Sequence, residues 1–290
     1  MINSIKINIM KKINILLSLL IVLASCSGNS QNKLKRYEVK SGIVKYTSTI
    51  SGKVLGGKIA GSGTESLDFK DWGALELKEV NSKQTTTMKF FGKKKVETTS
   101  THTMTKLDNG ESYLADLNNK TIIANRDLGM DLMIQSNKDA GEAGMSMLES
   151  MGGKKVGTES VLGHSCEIWD VMGAKQWLYK GVPLKMEVTV LGIKTITQAT
   201  SAKFDVSVAD ANFKLPDFPI QKTEGFMNND EFNNELDEMD ANMGKIQNLS
   251  FEEWKKMATK NDPEMSEMSD EELRQTYDMI QKMIKLRKGN

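Results

Sequence analysis

The chain has 290 residues with 39 basic and 38 acidic side chains, a formal net charge of +1, two histidines and two cysteines. So even a balance is no electrostatic footprint for nucleic acid, and two cysteines cannot supply a disulfide framework. The length allows one sizeable core with an extension.

The first residues read as an export leader. Residues 13–23 are almost wholly apolar and follow Lys11 and Lys12, a basic start and an apolar stretch too short for a lasting membrane span. The stretch closes on Leu23-Ala24-Ser25-Cys26, which resembles the lipobox of bacterial lipoproteins; Met10 is an alternative start. The resemblance implies that residues 1–25 are a signal peptide, that Cys26 receives a diacylglycerol anchor, and that the membrane is a partner. Residues 26–37 are polar and read as a flexible tether. With Cys26 lipidated, Cys166 is the only other thiol, and it reads as a small buried hydrophobe.

From 38 to about 125 the chain offers short β-branched or alternating segments separated by turn residues: 43–50, 64–69, Leu75 with Leu77, 85–90, 96–104, 111–117 and 121–124. Asp108-Asn109-Gly110 and Asn118-Asn119 mark reversals. Tight turns without intervening helices predict an antiparallel sheet. Straight-chain apolar residues at 130–134 and 145–151 predict one or two short helices, stopped by Gly152-Gly153. Strand patterning resumes at 166–170, 176–179, 185–191, 194–200 and 202–208. Residues 38–220 thus read as one β domain with a helical insertion.

Beyond Pro216 and Pro219 the composition turns to Asn, Asp, Glu and Met, and residues 222–290 hold 10 basic against 16 acidic side chains. We take 221–290 as an acidic linker and helical tail. Ser250 with Glu253, and Ser269 with Glu272, form capping boxes. Leu273, Tyr277, Ile280 and Ile284 make one apolar stripe, which must dock on the body or on a partner protein.

Chemistry is sparse. His102 and His164 lack zinc-type spacing, and His164 beside Cys166 has no orienting third group, so a turn histidine next to a core cysteine is the simpler reading. Gly61-Ser62-Gly63 fits neither a phosphate loop nor a nucleophile elbow. The acidic run 230–240 departs from the calcium-loop pattern. No catalytic residue, metal site or cofactor is expected. Trp169, Trp177, Tyr179, Met186 and Val188 sit on neighbouring predicted strands and either line an apolar groove or form core.

Three stretches together resemble a family of bacterial envelope lipoproteins of unknown function, DUF4412-like, related in shape to the LolA and LolB lipoprotein carriers. They are Gly42-Ile-Val-Lys-Tyr46 with residues 63–73, residues 157–169, and residues 177–185 closed by Phe213-Lys-Leu-Pro216; Trp72 stands where members commonly carry tyrosine. The match covers about 38–220 and leaves the tail outside. It implies a mainly β, α+β fold: a curved antiparallel half-barrel wrapped around short helices, with a C-terminal helical extension. It also implies a non-enzymatic protein at the outer membrane, facing the periplasm, that holds a lipid, an acyl chain or a lipidated polypeptide in the concavity. The alternative is a structural or adaptor lipoprotein that recruits an envelope protein through its tail helices.

Overall fold

The computed structural model describes residues 34–54, 57–90, 93–127, 129, 138–150, 152–171, 173–190, 192–222, 246–261, 265–267, 269–271, 273–274, 277–278 and 281. The leader, Cys26, Ile280 and Ile284 lie outside them. Two meanders build one sheet. The first is β1 (Gly42–Val54), β2 (Gly57–Lys70), β3 (Leu75–Phe90), β4 (Lys93–Asp108), β5 (Glu111–Asp116) and β6 (Thr121–Arg126). The second, after α1 (Ala140–Ser150), is β7 (Lys154–Val161), β8 (His164–Val171), β9 (Ala174–Tyr179), β10 (Val182–Val190) and β11 (Ile193–Phe204). Strand β12 (Ile220–Lys222) and helix α2 (Phe251–Asn261) complete the chain order.

The strand order is β12-β6-β5-β4-β3-β2-β1-β11-β10-β9-β8-β7. The end strands are not paired with each other, so the sheet is unclosed. Every pairing is antiparallel except the short β12–β6 pair. The meanders meet at a single seam, β1 on β11, running from Gly42 opposite Phe204 to Gly52 opposite Ile193. The fold is therefore the expected α+β class, with one large open sheet and, among the described residues, a short helix α1 beside it and helix α2 in the C-terminal extension.

Local chemistry explains most elements. Asn109 and Gly110 both take positive φ, 50° and 101°, the twist that a two-residue hairpin needs. The predicted segments at 75–77 and 85–90 are one strand, β3. The polar residues between them are held in register on both sides, as Glu79 opposite Ser66 and Met104, and Lys83 opposite Ser62 and Ser100. Likewise 194–200 and 202–208 merge into β11, which ends at Phe204. Strand β7 has no apolar alternation because it is an edge whose residues are exposed apart from Gly157 and Val161.

Helix α1 starts where the Asp139 carboxylate accepts from the Glu142 N–H at 2.8 Å. It ends where Gly153 N–H donates to the Leu148 carbonyl at 2.8 Å and Gly152 takes φ 81°. Its Ala140, Ala143, Met145 and Leu148 are buried. Gly141 N–H donates to the Lys35 carbonyl at 2.9 Å. At the other end, a methyl group on Gly153 would lie 3.1 Å from Val171 Cγ2. The helix thus lies against the sheet between the N-terminal segment and β8.

Residues 34–37, expected in the tether, belong to the core. Leu34, Arg36, Tyr37 and Val39 are all buried. Arg36 N–H and Tyr37 N–H donate to the Trp72 carbonyl, and Glu38 N–H to that of Lys180. Two apolar residues and one arginine in a polar stretch gave no periodic signal. On the opposite face of the sheet, residues 205–219 cross from β11 to β12. There Asn212 donates to Asp68 at 2.6 Å, Lys70 pairs with Asp210, and Phe213 is buried.

The tail packs on itself. Ser250 and Glu253 form the expected capping box, with reciprocal bonds of 2.8 and 3.3 Å. Phe251, Trp254 and Leu273 make a small core with Tyr277 against it, and Tyr277 Oη donates to the Leu249 carbonyl at 2.6 Å. Leu273 and Tyr277 therefore face α2.

Candidate functional site

The register from β1 to β6 is unbroken, so directly opposed residues share a face. One row on the inner face reads Val44, Leu67, Lys78, Thr105, Leu114, Ile123. Val44 and Leu67 are 0% and 3% exposed, whereas Leu114 and Ile123 are 43% and 36% exposed. The inner face is thus sealed at the seam and open toward β5 and β6.

The other half of that face is filled. Ser48, Thr197, Met186, Gln176 and Trp169 form a row from β1 to β8, and all five are buried. Val188 is 2% exposed and opposes the buried Thr195. Trp177, opposite Ile168 and Lys185, belongs to the neighbouring row, which points to the other side of β9. An irregularity between Pro183 and Lys185 then sets Tyr179 opposite Val182. The five residues proposed as lining are thus brought near one another but divided between two sides. Trp177 is itself packed into the main core, with its Nε1–H donated to Glu159 at 2.7 Å and Lys185 Nζ 4.1 Å above its ring.

The sheet curls at the strand ends near residue 180. Strands β11 and β8 are three places apart, about 14 Å on a flat sheet. Yet the rings of Phe204 and His164 are 5.1 Å apart, and each lies within 5.0 Å of Tyr179 or closer. Beside this cluster Tyr179 borders a cleft of about 230 Å³ with Glu38, Ser165, Glu167, Leu178, Lys180 and Gly181.

Polar groups are set into the floor of the inner face. Tyr37 Oη donates to Glu76 Oε2 at 2.6 Å. Burial raises the Glu76 carboxyl above its ordinary range, opposed by Arg36 and by the Tyr37 hydrogen bond. Tyr46 Oη donates to the Pro183 carbonyl at 2.9 Å, and burial, then Glu65 and Glu76, push its phenol up. Glu65 is neutralised by Lys78 at 2.9 Å and accepts from Thr197 at 3.2 Å. Arg36 forms a buried ion pair with Asp127 and donates to the Gly73 carbonyl at 3.1 Å. Asn125 Oδ1, on the same face near Ile123, is buried without a hydrogen-bond partner among the described residues.

The Cys166 thiol is fully buried, pushed up by desolvation, and donates to the His164 carbonyl at 3.4 Å; that leaves it protonated and a poor nucleophile. His102 pairs with Glu79 at 2.7 Å, half exposed. Among the described residues no group of three or more His, Cys, Asp or Glu side chains is placed for a metal ion, and no helix is long and apolar enough to cross a membrane. Leu114, Ile123, Glu76 and Arg36 were missed in the sequence. Only the Asn109-Gly110 hairpin register could have indicated that Leu114, and not Ala115, faces inward.

Fold and site together define one large unclosed antiparallel sheet whose inner face is filled on one half and open on the other. No family model matches the chain, and no curated protein matches it. Among solved structures, it is similar to an uncharacterized conserved protein from Thermus thermophilus, at 9% identity over 62% of this chain and 90% of that one, TM-score 0.30. A beta-barrel-like protein of the DUF1849 family from Brucella abortus aligns at 9% identity over 58% and 99%, TM-score 0.32. An outer membrane lipoprotein-sorting protein domain from Vibrio parahaemolyticus aligns at 11% over 62% and 92%, TM-score 0.24. At such scores the likeness transfers neither function nor site to this chain.

Proposed function

We propose that this is a non-enzymatic, lipid-anchored protein of the bacterial envelope, on the outer membrane facing the periplasm. It holds an apolar chain, from a lipid or a lipidated polypeptide, against the open inner wall over β4 to β6. The observation that carries the reading is the exposure gradient from Val44 to Ile123 along one row. Such a gradient leaves an apolar pair, Leu114 opposite Ile123, at the mouth of an otherwise sealed core. The partnerless Asn125 Oδ1 beside it would accept from a ligand amide or hydroxyl. Trp169, Met186 and Val188 fill the other half of the same face, and Trp177 and Tyr179 belong to the core and the adjoining cleft. For the adaptor alternative, Leu273 and Tyr277 pack against α2, and Ile280 and Ile284 lie outside the described residues.

The test uses a chain beginning at residue 27, which retains every described residue, purified without detergent. Lipid should appear by extraction and mass spectrometry, and a dansyl-labelled fatty acid should bind. Covering two residues about 40% exposed is worth roughly 1 kcal/mol each, so Leu114→Asp with Ile123→Asp should weaken the probe by on the order of tenfold or more. A clean extract with no probe binding, or a double variant that binds as well as the parent, would refute the proposal.

A further inference from the structure

Strand β4 has an edge that its neighbour does not cover. Strand β5 pairs only with Thr103 to Asp108. From Lys93 to His102, β4 therefore has β3 on one side and, among the described residues, no strand on the other. Residues 95–100 are all exposed, so neither face of β4 is covered along this stretch.

The turns at both ends of β4 decide which backbone groups are free. Phe90 opposes Lys93 and Asp108 opposes Glu111, each pair two residues apart along the chain. Odd-numbered residues of β4 therefore bond to β3, and even-numbered ones point to the β5 side. Two bonds agree: the His102 carbonyl accepts from Leu117 N–H at 3.0 Å, and the Ser100 carbonyl from Asn118 Nδ2 at 3.0 Å. Lys94, Val96 and Thr98 thus each turn an N–H and a C=O outward, with no partner among the described residues. Val96 is 53% exposed.

Laid antiparallel on a second copy about Val96, this edge matches itself. Val96 opposes Val96 of the second copy and Lys94 opposes its Thr98, so outward backbone groups meet outward backbone groups. Between them Lys95 falls opposite Glu97 of the second copy, and by symmetry Glu97 falls opposite its Lys95. Opposite charges directly across a ladder are favourable. Within one copy these two side chains are 63% and 59% exposed and only loosely paired, at 3.9 Å. A ladder from Lys93 to Thr99 also stops at the second copy's own hairpin turn, before it reaches Asn118 and Leu117. Edge strand β7 is less suited: its pairing is irregular between Lys155 and Gly157. Its Lys155 and Glu159 are already bonded to Glu167 and to Trp177 Nε1.

We propose that β4 is a self-association edge, on which two copies of this chain pair antiparallel across Val96 and join their sheets. The occupant is a second copy because the order Lys95, Val96, Glu97 answers itself under a two-fold axis. A protected edge carries charges that repel its own copy; here they attract it. Lys95 and Glu97 share a face with Thr105, so the joined sheet carries both inner faces on one side. A ladder of this length is small beside the roughly 1,200 Å² of a stable interface, so the association is weak and reversible.

The chain beginning at residue 27 is followed by sedimentation velocity from roughly 10 μM to 1 mM, and its dimer fraction should rise across that range. Val96→Pro removes an outward N–H but no bond to β3. It should remain monomeric while its urea midpoint matches the parent's. Lys95→Glu and Glu97→Lys each set like charges across the ladder and should each weaken association on the order of tenfold or more. An equimolar mixture of those two variants should dimerise again, as should the chain that carries both changes. A parent that stays monomeric throughout would overturn the proposal and leave the edge to a strand from another protein. It would equally be overturned by a Val96→Pro chain that associates like the parent, or by charge variants that do not recover on mixing.

Discussion

Replacing Arg36 tests whether the N-terminal segment is structural. Its side chain is 5% exposed and that of Asp127 2% exposed, so removing the guanidinium leaves a carboxylate deep in the protein. Breaking such a pair from one side costs about 3–5 kcal/mol. For a domain of this size that corresponds to a Tm lower by ~6–20 °C. Arg36→Met should therefore move the urea midpoint, followed through the four tryptophans, without changing the slope. Adding Asp127→Leu removes that carboxylate and should restore at least half of the loss, since apolar replacement of a buried pair is often neutral. Gly129 N–H, 3.3 Å from Asp127 Oδ1, and the Gly73 carbonyl would then each lack a partner, which keeps recovery incomplete. A loss below ~1 kcal/mol for Arg36→Met, the behaviour of a tether, would refute the reasoning. So would a double variant that falls by the full sum.

Two further outcomes follow from the same core. The folded-state pKa of Glu76 is raised, chiefly by burial. Its contribution is therefore fully present below the unfolded carboxyl range near 4.3 (roughly) and is lost as pH rises through the folded value. Glu76→Gln, which can still accept from Tyr37, should gain stability relative to the parent between pH ~4 and ~7; a difference that stays constant with pH would count against it. At Gly42 an added methyl would sit 2.6 Å from Phe69 Cε1 and 2.9 Å from Phe204 Cδ1, so Gly42→Ala should cost about 1–3 kcal/mol by urea unfolding. Unchanged stability would mean that the Phe69 ring can yield.

Strand positions were legible where the chain alternates or turns on marked residues, as at Asn109-Gly110 or Cys166 to Asp170. Pairing was not. Alternation along β9 sets Trp177 and Tyr179 apart from Gln176, but that Gln176 is the residue placed opposite both Met186 and Trp169 is a matter of register that leaves no mark in one sequence. Leu114 and Ala115 look alike as strand residues, yet the register exposes the first and buries the second. Edge strand β7 has no inward side to advertise, and β12 is three exposed residues. The stripe at Leu273 and Tyr277 was correctly apolar, but periodicity names a buried face without naming what buries it.

The seam between β1 and β11 has a consequence for how the molecule is made. Gly42 waits for Phe204, and until then β1 is a long bare edge with every second amide unclaimed. Contacts so distant along the chain close slowly. During synthesis the first meander would have to remain soluble as a half-formed sheet, vulnerable to pairing with another copy of itself. Any shortened chain that stops before β11 inherits that hazard permanently.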